Sequence, residues 1–255
     1  MCRHLGYLGP PCAPGETIFA APHSLLRQSY APADMRGGGT VNADGFGFGW
    51  YGESGETLRY RRVSPLWADE SLPALAQSLR TNAFVAAVRN GTTGMPVTEA
   101  ACSPFTDGRW LFSHNGLVTG WPGSMAPLAE KLPVTELFTV EAPTDSALLW
   151  TLLRERLRDG EDPLEAVTGL VLAVEAAAPG SRLNFLLTDG EQLIATAWTH
   201  SLSLLRQGDA VYVASEPFDG NPDWTPVPER HAVRADRATA TMIQIGQEPD
   251  RSARP

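Results

Sequence analysis

The sequence predicts a mixed α+β domain in which two sheets pack together and helices cover their outer faces. Three observations lead there. Short apolar runs of strand character occupy the first part of the 255-residue chain, two strong helical segments follow, and after Gly180 the pattern returns to strands. Strands, then paired helices, then strands is not the alternation that builds a doubly wound parallel sheet.

The early strand candidates are "HLGYLG", "GFGFGWYG", "AFVAAVR" and "WLFSHNG", and between them "SLPALAQSLR" reads as a helix. In "TDSALLWTLLRERLR", Leu148, Leu149, Leu152, Leu153 and Leu157 form one apolar stripe, and arginines crowd the C-terminal end, where the helix dipole favours cations. In "DPLEAVTGLVLAVEAAA", Asp162 suits the N-cap, Pro163 the first helical position and Glu165 the third. The segment "RLNFLLTDGEQLIATAW" carries the Asp-Gly signal of a hairpin, and "SLSLLRQGDAVYVASE" repeats it around Gly208 and Asp209. "HAVRAD" and "TMIQIG" close the strand series. We expect one domain over residues 1–245 and a polar tail over 246–255.

Composition removes several function classes. The chain is 43% hydrophobic, enough for a sizeable core, and its net charge of -9 offers no basic surface for phosphates. Nucleic acid and anionic membranes are therefore not expected partners. The longest apolar run, "GLVLAVEAAA", is broken by Glu175 and falls short of the ~20 residues of a spanning helix. No signal-peptide or prenylation pattern is present, so a cytoplasmic location is expected. Three cysteines without a CxxC, and five histidines without ligand spacing, point to neither a disulfide framework nor a metal site. No cofactor is expected.

The chemistry is concentrated in four short stretches. Cys2 follows the initiator methionine, so removal of Met1 leaves a thiol and a free α-amine on one residue, a nucleophile with its own base. Arg89, in "VRNGTTG", ends a strand-like run and can fork onto a carboxylate, with the Thr92 hydroxyl three residues on. Asn115 and Gly116, in "SHNG", fit either a hairpin turn or an oxyanion hole made of a side-chain amide and an unhindered backbone N–H. Asp145 opens the leucine-striped helix, where it fits either the dipole or a substrate ammonium. Each bland reading suffices alone. Together, the groups are those needed to cleave a γ-glutamyl amide: Arg89 for the α-carboxylate, Asp145 for the α-ammonium, Cys2 for the carbonyl, and Asn115 with Gly116 for the oxygen charge that develops.

"MCRHLGYLG", "NADGFGFGWY", "VRNGTTG", "SHNG" and "TDS" resemble, in order and spacing, the class II glutamine amidotransferase domains of the N-terminal-nucleophile hydrolase superfamily. With "PHSLLRQSYAP", "LNFLLTDG" and "VASEPFD", the resemblance narrows to the amidohydrolase family of ergothioneine biosynthesis and runs to about residue 220. It implies a four-layer αββα sandwich, Cys2 as nucleophile, Asn115 and Gly116 as the oxyanion hole, and Arg89, Thr92 and Asp145 around the glutamyl head. The implied substrate is γ-glutamyl-hercynylcysteine S-oxide. Its quaternary ammonium suits an aromatic face, and Trp121, five residues beyond Gly116, is the first candidate, ahead of Trp67 and Trp224. Two departures stand out. Many class II glutaminases have Arg-Trp-Ala-Thr-His-Gly where this chain has Arg89-Asn90-Gly91-Thr92-Thr93-Gly94, and an acid where it has Ala147.

Other stretches have simpler readings. Asp44-Gly45 reads as a turn, His114 as a packing or orienting residue, and Cys12 and Cys102 as unreactive thiols, while "SEPFD" yields no role. Only a short polar tail follows the last strand, leaving no acceptor domain, so water is the expected second reactant and no obligatory protein partner is expected. Two alternatives stay open: a general γ-glutamyl amidase or a glutaminase supplying ammonia to a separate synthase, and a non-catalytic γ-glutamyl-binding protein.

Overall fold

The glycine-phenylalanine alternation in "FGFGWY" shows how the layers are set. Phe46 and Phe48 turn outward into a core shared with Leu25, Leu66 and Leu72. Gly47 and Gly49 turn inward, where a Cβ would lie 1.9 Å from the Ser103 carbonyl oxygen and 2.7 Å from Pro104 Cγ. The strand needs bulk on one face and none on the other.

The structure is a computed structural model and describes residues 2–36, 38 and 41–246. Met1 and residues 247–255 of the expected tail lie outside the described residues. The strands are β1 (Arg3–Cys12), β2 (Phe46–Tyr51), β3 (Thr57–Arg62), β4 (Thr81–Val88), β5 (Phe105–Asp107), β6 (Trp110–Leu117), β7 (Arg182–Thr188), β8 (Leu193–Ala197), β9 (Ser203–Gln207), β10 (Ala210–Ala214), β11 (Thr225–Pro226), β12 (His231–Ala235) and β13 (Ala240–Gln244). The helices are α1 (Leu25–Tyr30), α2 (Leu72–Ser78), α3 (Ala126–Ala129), α4 (Val134–Phe138), α5 (Asp145–Arg158) and α6 (Pro163–Ala177).

Seven strands form one sheet in the order β11-β9-β10-β1-β4-β2-β3, and six form the other in the order β13-β12-β8-β7-β6-β5. The strand pairs are antiparallel. Between the sheets lies a dry layer that includes Leu8, Val85, Leu111, Leu186, Val213 and Val233. Outside the first sheet, α1 and α2 close the core that holds Phe46 and Phe48. Outside the second, Trp150 and Leu149 of α5 and Val167 and Val171 of α6 pack on Phe112, Phe185 and Ile194. The architecture is the expected four-layer αββα sandwich.

The two long helices start as their sequences dictate. Thr144 caps α5 by accepting from Ala147 N at 3.2 Å, and Asp162 caps α6 by accepting from Leu164 N and Glu165 N. The Asp189-Gly190 and Gly208-Asp209 signals close the β7–β8 and β9–β10 hairpins. No helix among the described residues is long and apolar enough to cross a membrane.

Candidate active site

Cys2 stands directly before β1, and the neighbours of that strand decide what surrounds it. Arg3 pairs with Val88 at the end of β4, and Leu5 pairs with Ala214 at the end of β10. Arg89 and Ser215, the residues just past those strand ends, are thereby brought to the same edge of the sheet. The other sheet reaches it through β6. His4 Nδ1 lies 3.3 Å from Ser113 Oγ, and Asn115 Nδ2 donates to Ser215 Oγ at 3.2 Å. Ser215 Oγ also accepts from the His4 backbone N–H at 3.0 Å.

Asn115-Gly116 is not a turn. Both residues lie within β6, opposite Asn184 and Leu183 of β7. Gly116 is required there because a Cβ would sit 1.8 Å from the Arg182 carbonyl oxygen and 2.5 Å from His114 Nε2. Asn115 is buried, and its Oδ1 has no hydrogen-bond partner among the described residues.

A narrow cleft opens beside Cys2, lined by Arg89, Phe46, Ser103, His114 and Ser146 among others. The Cys2 thiol is half-buried and points toward the Asn90 carbonyl oxygen at 3.8 Å. Arg89 donates to the carbonyls of Asp44 (3.4 Å) and Pro96 (3.0 Å), neutral acceptors that leave its charge to face the cleft. The Asp44 carboxylate accepts from Gly91 N at 2.8 Å, so the residue read as a turn also braces the loop that carries Arg89. His114 Nε2 meets the Arg182 carbonyl at 2.8 Å and Nδ1 meets Ser146 Oγ at 2.9 Å. Burial lowers its pKa against the opposing pull of Asp145, so the ring is neutral: Nε2–H donates and Nδ1 accepts from Ser146. The orienting role expected for His114 matches this geometry.

Asn115 and Gly116 adjoin the cleft residue His114 in β6 but do not themselves line the cleft, and Asp145, Thr92 and Trp121 are outside its lining as well. Asp145 is buried; its Oδ2 accepts from Val118 N at 3.0 Å and its Oδ1 from Ser146 N at 2.7 Å, while Ser146 is the residue that reaches the cleft. Thr92 is exposed, and its carbonyl accepts from Met95 N at 2.9 Å. Trp121 packs against the core beneath α5 and α6, outside the cleft lining.

A second cavity, of about 780 Å³, is lined by Ser215, Glu216, His23, Asp34, His200 and Asp219 among others. Arg3 joins it to the nucleophile. Its buried guanidinium donates to the Cys2 carbonyl at 3.0 Å, to Glu216 Oε1 at 2.8 Å and to the Asp34 carbonyl. Glu216 in turn accepts from His23 Nε2 (2.6 Å), Ala33 N (2.8 Å) and Asp34 N (3.2 Å). Burial alone would raise the Glu216 carboxyl, but His23, the Ala33 N–H and Arg3 hold it below the ordinary carboxylate range. The "SEPFD" stretch therefore supplies the hub of the site: Ser215 holds Asn115, and Glu216 holds Arg3 and the 33–34 loop. Arg3, Ser146, His200, Ser215 and Glu216 were not singled out from the sequence. The polar pair at the end of a strand, Ser215-Glu216, was the available signal. Among the described residues no cluster of His, Cys, Asp and Glu is arranged to hold a metal ion.

This geometry, a cysteine directly before the first strand of an antiparallel αββα sandwich, defines a class, and the comparisons agree. Residues 26–219 match the glutamine amidotransferases class-II family, and the chain belongs to it. It is an amidohydrolase of the N-terminal-nucleophile fold. Within the family it is 40% identical over 233 residues to a gamma-glutamyl-hercynylcysteine sulfoxide hydrolase of Mycolicibacterium smegmatis, covering 91% of this chain and 95% of that one. It is 38% identical over 245 residues to a protein of the same name from Mycobacterium tuberculosis, covering 96% and 97%. A glutamine aminotransferase class-II domain protein from Silicibacter pomeroyi shares the fold at a TM-score of 0.70 and 21% identity, over 96% of this chain and 100% of that one.

Proposed function

We propose that the chain hydrolyses γ-glutamyl-hercynylcysteine S-oxide, releasing glutamate in ergothioneine biosynthesis. With Met1 removed, the Cys2 α-amine takes the thiol proton as Sγ attacks the γ-carbonyl carbon. The C–N bond breaks, the amine passes that proton to the leaving nitrogen, and a glutamyl thioester on Cys2 remains. Water then attacks the thioester, with the amine again taking a proton, and glutamate leaves as the thiol is restored. Asn115 Nδ2, through the hydrogen not given to Ser215, and the Gly116 N–H receive the oxygen charge in both steps. Arg89 meets the glutamyl α-carboxylate. Asp145, buried behind Ser146, supplies the negative charge that favours the α-ammonium, and Ser146 is the residue beside it that reaches the cleft. On this reading the enzyme is cytoplasmic and needs no synthase partner.

One observation carries the choice of substrate class. A cavity of about 780 Å³ is lined by Ser215, which holds Asn115, and by Glu216, which holds Arg3, the residue that follows the nucleophile. Ammonia, the leaving group from glutamine, needs no such volume, whereas a large amino-acid conjugate does. The test compares kcat/KM for glutamine, glutathione and γ-glutamyl-hercynylcysteine S-oxide. The conjugate is expected to be preferred by orders of magnitude, and an equal or greater value for glutamine would make the chain a glutaminase.

A further inference from the structure

The charges around the large cavity do not balance. Four carboxylates line it: Asp34, Glu216, Asp219 and Glu229. Two have cationic partners, Glu216 with Arg3 at 2.8 Å and Asp34 with Arg36 at 2.7 Å. The other two have only neutral donors. Asp219 Oδ1 accepts from Trp224 Nε1 at 2.7 Å and Asn221 N at 3.2 Å, and Glu229 accepts from Thr199 N at 2.9 and 3.1 Å. Neither forms an ion pair with a basic side chain among the described residues. Between them the lining turns apolar, with Leu202, Val227 and Pro226.

A second, independent observation points to a ligand. His200 lines the same cavity, is only 3% exposed, and its Nδ1 has no hydrogen-bond partner among the described residues. A buried polar atom without a partner is costly unless a ligand or water completes it. Burial first, then Arg182 and Arg3, lowers its pKa to about 3, so the ring is neutral and does not repel a cation.

We propose that this cavity is a subsite for an organic cation, in which Asp219 and Glu229 face a quaternary ammonium, Leu202 and Val227 contact its methyl groups, and His200 Nδ1 bonds a polar group beside it. A quaternary ammonium has no N–H to donate, so it is recognised by charge and by apolar contact. Among the described residues no Trp, Tyr or Phe lines the cavity. Trp224 donates its Nε1–H to Asp219 and so acts on that carboxylate, not as a face for the cation. The identity of the cation as the trimethylammonium end of the leaving group rests on the proposed hydrolysis.

Two measurements separate the subsite from that reading. Asp219→Asn and Glu229→Gln keep an oxygen for each neutral donor and remove only charge. In the double variant the ratio of kcat/KM for γ-glutamyl-hercynylcysteine S-oxide to kcat/KM for glutamine is expected to fall at least tenfold, and an unchanged ratio overturns the proposal. The second measurement needs no turnover: calorimetric titration of the Cys2→Ala protein with N,N,N-trimethylhistidine. Saturable binding that weakens at least tenfold when Asp219→Asn and Glu229→Gln are added supports the subsite, even if the wild-type enzyme cleaves none of the γ-glutamyl substrates. Absence of saturable binding, or binding indifferent to the two charges, overturns it.

Discussion

Among the described residues the Cys2 thiol has a hydrogen bond to the Asn90 carbonyl oxygen, at 3.8 Å, and none to a histidine or other side-chain base. The proposed base is the residue's own amine. The α-amine, with a reference pKa of roughly 7.7–8.0, is matched to neutral solution. Retaining Met1, or fusing an uncleavable tag before Cys2, turns that amine into an amide. Intact-mass measurement paired with steady-state rates on one preparation should show turnover falling with the fraction that keeps Met1, while the melting temperature holds. Full activity in a homogeneous Met1-retaining sample would sink the mechanism. The two polar groups assigned to the glutamyl head and to the oxyanion should fail differently. Arg89→Lys keeps the charge but loses the fork that binds a carboxylate in two places, so KM should rise for every γ-glutamyl substrate whatever its leaving group. Asn115→Ala removes a donor needed only as charge develops, so kcat should fall by about 10²–10³. Identical kcat losses with unchanged KM in both variants would mean that these roles are misassigned.

At the scale of elements, the site is a junction of strand ends. β1, β4 and β10 deliver Cys2, Arg89 and Ser215 from one sheet, and β6 delivers Asn115 and Gly116 from the other. The β6–β7 approach depends on Gly116, since a Cβ there would meet the Arg182 carbonyl at 1.8 Å. Gly116→Ala must push the two strands apart, at a cost of about 1–3 kcal/mol or more. That should lower the melting temperature by ~5–10 °C and move Asn115 off its Ser215 contact. Glu216→Ala should cost more, about 3–5 kcal/mol, because it leaves the 1% exposed Arg3 guanidinium buried without its carboxylate. Glu216→Gln, which can still accept from Arg3, should recover most of that loss by thermal melt.

These same elements show where sequence reading stops. Strands that alternate or run apolar, such as "AFVAAV" and "NFLL", and helices with capping residues, such as Asp162-Pro163, are locally specified and were legible. β3, "TLRYRR", was not, because it is an edge strand without apolar alternation, in which Arg59 and Arg61 share the inward face with Gly49 and Gly47 and pair with Glu141. Asn-Gly inside β6 carries a turn signal that sheet pairing overrides. Asp44, Glu216 and His200 act through contacts with residues 47, 213 and 16 positions away, which no local pattern encodes. The Trp121 assignment followed proximity in sequence to Gly116, whereas the chain turns away into the core under α5 and α6.

For the molecule as a whole, the face where the two sheets meet at the site is held by buried neutral histidines, and this sets the acid limit of the fold. Burial, then His114, His200 and Arg3, lowers the pKa of His4 to about 3; burial, Arg182 and Arg3 do the same for His200. In the unfolded chain both return to about 6.5. Between pH 6.5 and 3 the unfolded state therefore holds more protons than the folded one, so stability is fully present above pH 6.5 and is lost as pH falls toward 3. Each histidine contributes on the order of 1 kcal/mol per pH unit across that window. The carboxylate of Glu216, held below its ordinary range, contributes stability that is present above about pH 4.5 and lost only below it. The melting temperature should thus begin to fall near pH 6.5, two units before carboxylates titrate, and His200→Gln should make the slope shallower, with His4 and His114 carrying the rest. A flat profile from pH 7.5 to 5, breaking only below 4.5, would show that the histidines are charged in the folded protein. The same experiment separates stability from catalysis. Protonation of the Cys2 α-amine also lowers activity on the acid side, but that loss recovers at once when an enzyme held briefly at pH 6 is returned to pH 8. Loss through the histidines requires refolding, so it should recover slowly and in step with the return of tryptophan fluorescence from Trp150, which is packed against Phe112 in the core.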